Sequence, residues 1–65
     1  MQVWINQEPH TLPDGATLAD AVAAVQARAP FAAAVNLAFV PRERHAEHRL
    51  AEGDRIEIVA PITGG

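Results

Sequence analysis

The stretch from Leu12 to Pro30, LPDGATLADAVAAVQARAP, decides the fold, because it is the only segment with helical periodicity and it carries its own start signal. Pro13-Asp14-Gly15 breaks whatever precedes it. Thr17, with Asp20 three residues on, reads as a capping box in which aspartate replaces the usual glutamate. Leu18, Val22 and Val25 then recur at spacings of four and three, which stacks them on one helical face. The intervening alanines favour helix and Pro30 opposes its continuation, so the pattern predicts one helix over Leu18 to Arg28. A single helix with one apolar side needs a sheet to bury it against.

Working outward, Gln2 to Asn6 alternates polar and apolar residues and reads as a strand. Asn6-Gln7-Glu8-Pro9 is expected to turn, and His10 to Leu12 to return as a short antiparallel partner. Beyond the helix, Phe31 to Val35 reads as a strand, Asn36 as a turn, and Ala38 to Val40 as a second strand ended by Pro41. Arg42 to Arg49, RERHAEHR, is charged at nearly every position and is expected to be a solvated loop, with Leu50 as a lone anchor after it. Glu52-Gly53-Asp54 turns the chain into Arg55 to Val59, which alternates cleanly. Pro61 to Gly65 leaves the sheet as a flexible tail. The order predicts a single α+β domain over residues 1–65, with a mixed five-stranded sheet wrapped on one main helix. The first and last strands are expected to run parallel at its centre. Alternation puts Val3, Ile5, Ile56 and Ile58 against the helix, with Val40 also inward. It turns Trp4, Phe39 and Val59 outward.

Composition narrows the function. At 65 residues, only about 60% of the unfolded chain's surface can be buried. The apolar fraction of 49% includes 14 alanines, which leaves 18 larger apolar residues, enough for a single-layer core. Such a domain has no room for a deep substrate pocket of roughly 300 Å³ or more, so the expectation is a carrier or binding module and not an enzyme. There is no cysteine, which excludes a disulfide framework, a thiolate metal site and a thiol nucleophile. The net charge of −3 and a pI near 5.4 argue against nucleic acid as a partner. No apolar run approaches the roughly 20 residues of a membrane span and no signal peptide precedes the first strand, so the expected compartment is the cytoplasm. All five basic residues are arginine, a bias that matches the alanine enrichment.

The chemistry-bearing feature is the end of the sequence. At a glycine background of about 7%, two consecutive terminal glycines arise by chance in roughly one chain in 200. A Gly64-Gly65 carboxylate without side chains can pass through a narrow channel into another protein's active site, and adenylation would make it an electrophile at Gly65. Without cysteine, any sulfur the protein carried would have to ride on that terminus. His45 and His48 are three apart with Glu47 nearby, but they supply too few ligands for a metal site, and none is expected. Trp4 on the open face of a small sheet, with Phe39, Val59 and Ile62, suggests a partner-docking patch.

LPDGATLADAV at Leu12 to Val22, AVN at Ala34 to Asn36, VPR at Val40 to Arg42, LAEGDRIEIV at Leu50 to Val59 and the terminal GG together resemble the ThiS family of thiamine-biosynthesis sulfur carriers over essentially the whole chain. The resemblance implies a ubiquitin-like β-grasp fold. It also implies that the protein is acted on by others and binds no permanent cofactor. A ubiquitin-activating-type enzyme would adenylate the Gly65 carboxylate with ATP and magnesium. A sulfur donor such as a cysteine desulfurase would convert it to a thiocarboxylate, and thiazole synthase would take the sulfur. Gly64 would keep the tail thin. The family commonly has glycine where this chain has Gln7 and Leu37. Leucine does not adopt positive φ readily, which raises the expectation of a different turn type after Asn36. Two alternatives stand beside this one: a carrier like the small subunit of molybdopterin synthase, and a noncovalent β-grasp interaction module.

Overall fold

The computed structural model describes residues 1–59. Strand β1 (Gln2–Ile5) turns back into β2 (Glu8–Thr11), and helix α1 (Leu18–Ala24) follows. Next come β3 (Ala32–Val35), β4 (Ala38–Val40), one 3-10 turn (Arg42–Arg44) and β5 (Arg55–Val59). The strands form one sheet in the order β2-β1-β5-β3-β4. β1 and β5 run parallel at its centre, and every other pair is antiparallel. This is the β-grasp architecture, and the parallel central pair is the one expected from the order of the elements. Among the described residues, no helix is long and apolar enough to cross a membrane.

The core lies between the helix and one face of the sheet. Val3, Ile5, Leu18 and Ile56 are fully buried, joined by Leu12, Ala21, Val35, Val40 and Leu50. Val22, Val25 and Ile58 pack half-buried at its margin. Ala21 matters as much as the valines here: a small side chain at the helix centre lets the backbone approach the sheet closely.

The helix starts where the sequence predicts. Asp20 Oδ2 accepts from the Thr17 backbone N–H at 2.8 Å, and Thr17 Oγ1 accepts from the Asp20 N–H at 3.4 Å, so the capping box is closed in both directions. The two remaining first-turn donors are met by the charged segment downstream. Leu18 N–H donates to the His48 carbonyl at 2.9 Å, and Ala19 N–H to that of His45 at 3.1 Å. All the N-terminal amides that a helix leaves unpaired are thus satisfied.

The helix ends earlier than Arg28. Gln26 adopts φ +56, its N–H donates to Ala23 O at 3.0 Å, and Ala27 N–H donates to Val22 O at 3.1 Å. This pair of reversed bonds around a left-handed residue is a Schellman closure, which ends the helix at Ala24, six residues before Pro30. Pro30 is therefore not what stops it. In the first hairpin the turn is only Asn6-Gln7, and Pro9 lies within β2 opposite Trp4. β2 is an edge strand, and Pro9 sits at a position whose missing N–H would face outward, so the ladder loses nothing. β3 begins at Ala32, one residue later than expected.

RERHAEHR is not uniformly solvated. Arg42, Glu43, Arg44, Glu47 and Arg49 are exposed, but His45 is only 6% exposed. Its Nε2 donates to the Val40 carbonyl at 3.0 Å, and its ring stacks on Phe31 with centroids 5.8 Å apart. With its own carbonyl capping Ala19, His45 ties β4, the 3-10 turn and the helix start together.

Candidate functional site

Of the residues that the sequence nominates, Gly64, Gly65 and Ile62 lie outside the described residues. Trp4, Phe39 and Val59 lie on the sheet face that does not meet the helix. Phe39 is 66% and Val59 63% exposed, whereas Trp4, at 37%, is partly covered. Leu37, at 88%, is a further exposed apolar side chain near them that the sequence reading did not place in the patch.

The register sets the relief of this face. Phe39 stands opposite Ala34 and Ala34 opposite Glu57, so the three form one cross-strand row. Ala32 stands opposite Val59 in the next row, and Trp4 beside Arg55 on the far side of β5. Because β3 presents only alanines outward, the row dips at its centre. A shallow depression of about 220 Å³ results, floored by β3 and walled by Leu37, Phe39, Glu57 and Val59. It can take an apolar side chain of a partner but is too open to isolate a reaction from water. Among the described residues, Arg55 and Glu57 make no ion pair. Among the same residues, no group of three or more His, Cys, Asp or Glu side chains is placed to hold a metal ion.

Both hairpins that frame β5 have two-residue loops, with Ile5 opposite Glu8 and Val35 opposite Ala38. Asn6 and Gln7 take φ +51 and +71, and Asn36 and Leu37 take the same pair of values. Positive φ at both central residues is the type I′ signature. The turn after Asn36 is therefore of the same type as the Asn6-Gln7 turn despite Leu37, and the left-handed strain is borne by the leucine.

The asparagines explain why these turns hold. Asn6 Oδ1 accepts from the Ile58 N–H at 2.8 Å, while its Nδ2 donates to the Ile58 carbonyl at 3.2 Å. Asn36 does the corresponding work at the other end of β5: its Oδ1 accepts from the Arg55 N–H at 3.0 Å and its Nδ2 donates to Asp54 Oδ1 at 3.0 Å. Sequence reasoning took both residues only as turn formers. The signal it had was asparagine, not glycine, at the first position of each two-residue loop.

The ThiS family model matches residues 3–65, a span that includes the terminal glycines. Among solved structures, the crystal structure of the thiamine biosynthesis protein ThiS from Geobacter metallireducens is similar at a TM-score of 0.81 and 19% identity, with all of each chain covered. The solution structure of a thiamine biosynthesis protein from the same organism is similar at 0.82 and 19% identity, covering 100% of this chain and 88% of that one. A search of the curated proteins by sequence found no match. The structural likeness establishes the shared fold, and the family match over nearly the whole sequence establishes the kinship: the chain belongs to the ThiS family.

Proposed function

We propose that the protein is a sulfur carrier for thiazole formation in thiamine biosynthesis, a co-substrate on which other enzymes act. The observation that carries this reading is the ThiS family match extending through Gly64-Gly65, on a fold whose described residues include an exposed apolar sheet face. The Gly65 carboxylate attacks the α-phosphate of ATP on an activating enzyme, which uses magnesium, and pyrophosphate leaves. A persulfide loaded by a cysteine desulfurase then attacks the acyl carbon of the adenylate and AMP leaves, giving an acyl disulfide. A thiol attacks the donor's sulfur in that disulfide, which releases the thiocarboxylate and leaves the donor as a new disulfide. Thiazole synthase takes the sulfur, and an oxygen atom from its substrate or from water replaces it to return the carboxylate. Adenylation is needed because a free carboxylate is a poor electrophile, whereas AMP is a good leaving group.

The open face is proposed as the surface on which the adenylating enzyme docks. Val59 belongs both to this face and to the last described position before residues 60–65, so an enzyme that receives Gly65 also meets the neighbourhood of Val59 and, one row away, Phe39. Trp4 lies across β5 and widens the same surface, and Ile62 is proposed to extend it.

Intact-mass measurement after incubation with the cognate activating enzyme, ATP, magnesium and a sulfur donor tests the function. A gain equal to one sulfur replacing one oxygen, lost on deletion of Gly65, is expected. An unchanged mass in the presence of a competent enzyme refutes the carrier role and favours a noncovalent module. Rescue of a thiamine auxotroph is expected, and rescue only of a molybdenum-cofactor mutant would reassign the pathway.

A further inference from the structure

The hydrogen bonds around β5 point to Asn6 as a positioning residue that fixes the end of β5 at Ile58, the root from which the chain continues to Gly65; this rests on the carrier reading above. The parallel ladder between β1 and β5 pairs only Trp4 with Arg55 and Ile5 with Ile56. Beyond Ile56 the β1 backbone has already turned away into the Asn6-Gln7 loop, so the β1 side of β5 would be unpaired from there on. The Asn6 side chain replaces the missing strand. Its amide group donates to and accepts from the two backbone groups of Ile58, as another strand's peptide would, while the Asn6 backbone N–H holds the Ile56 carbonyl at 2.9 Å. On the opposite side, β3 pairs with β5 as far as Val59. β5 is thus held on both flanks up to its end, by Asn6 at Ile58 and by β3 through the neighbouring residues, immediately before the segment that carries the reactive terminus.

The lever arm gives this grip its consequence. Seven residue steps separate Ile58 from Gly65, a reach of at most about 24 Å, so looseness at Ile58 widens the volume over which the terminus is presented. Productive reaction requires reacting atoms within a few tenths of an ångström of their places, so a loose root must be ordered by the partner on binding. The expected signature is a raised KM with a preserved kcat.

Asn36 supplies an internal control. It sits at the same φ of +51, in the same turn type, and makes the same number of side-chain hydrogen bonds, but it holds β5 at Asp54 and Arg55, at the strand's beginning. Asn6→Gly and Asn36→Gly each keep the turn, because glycine accepts positive φ, and each remove one clasp. They should lose similar stability by urea unfolding. Amide hydrogen exchange at Ile58 should accelerate in Asn6→Gly alone. In ATP–pyrophosphate exchange with the cognate adenylating enzyme, Asn6→Gly should raise KM by roughly three- to tenfold at unchanged kcat, while Asn36→Gly stays within twofold of the unaltered chain. Equal kinetics in the two variants, or an unchanged Ile58 exchange rate in Asn6→Gly, overturns the assignment. Failure of the unaltered chain to be adenylated overturns the carrier reading instead, and the two failures are thereby told apart.

Discussion

Replacing Leu37 by glycine should make this protein more stable, although it deletes a large apolar side chain. Leu37 is 88% exposed and sits at φ +71, the second central position of the β3–β4 turn. Its side chain contributes almost no burial, while its Cβ is held against the carbonyl in a left-handed conformation that costs roughly 1–2 kcal/mol. Glycine removes that cost but loses more backbone freedom on folding, roughly 0.5–1 kcal/mol. The net expectation is a stabilisation of about 0.5–1 kcal/mol. For a domain of this size that corresponds to a rise in Tm of roughly 2–8 °C. Thermal unfolding followed by far-UV circular dichroism, with urea unfolding for the free energy, measures it. Leu37→Ala is the necessary control, because it removes the same exposed apolar surface but keeps the Cβ, and it should stay within about 0.5 kcal/mol of the parent. If Leu37→Gly fails to exceed Leu37→Ala, the strain is not where the backbone places it and the reasoning fails.

Two further outcomes test other parts of the structure. Thr17→Ala should cost about 0.5–1 kcal/mol in urea unfolding, the low end for a lost helix cap, because Asp20 still accepts from the residue-17 N–H and the His45 and His48 carbonyls still hold the next two amides. A loss well above about 2 kcal/mol would mean that those carbonyls do not hold the helix start without the threonine. Phe39→Ser should change stability by less than about 0.5 kcal/mol, since the ring is largely exposed, yet raise the KM for adenylation about tenfold if the ring anchors the partner. Unchanged adenylation kinetics would remove Phe39 from the docking surface.

What could be read from the sequence was whatever local chemistry alone determines. The capping box of Thr17 and Asp20 needs only those two side chains and the backbone between them, and it stands where it was expected. The two faces of β1 and β5 follow from alternation, because a one-residue slip would turn every isoleucine outward. The outward positions of Trp4, Phe39 and Val59 follow from the same rule, whereas Gly64 and Gly65 stand out by composition and by the family's motif and lie outside the described residues. The features that stayed hidden depend on partners distant in sequence. The helix was read as running to Arg28 because alanines continue to favour it; its end at Ala24 is set by a left-handed Gln26, a residue type that gives no warning of that conformation.

His45 shows most clearly why a charged run was misjudged. Its neighbours at 42, 43, 44, 46 and 47 are all exposed, so pattern alone assigns the whole segment to solvent. Burial of one imidazole there requires three conditions to hold together: the Val40 carbonyl as acceptor, the Phe31 ring as a stacking surface, and the 3-10 turn that swings position 45 inward. Phe31 is 14 residues away, on the far side of the β3–β4 hairpin, and nothing local to RERHAEHR encodes it. The same segment returns the carbonyls of His45 and His48 to the first turn of the helix, which lies more than 25 residues earlier. A loop that reads as filler in one dimension therefore completes the helix cap in three, and the β-grasp closes because its most polar segment gives its backbone, and one ring, to the interior.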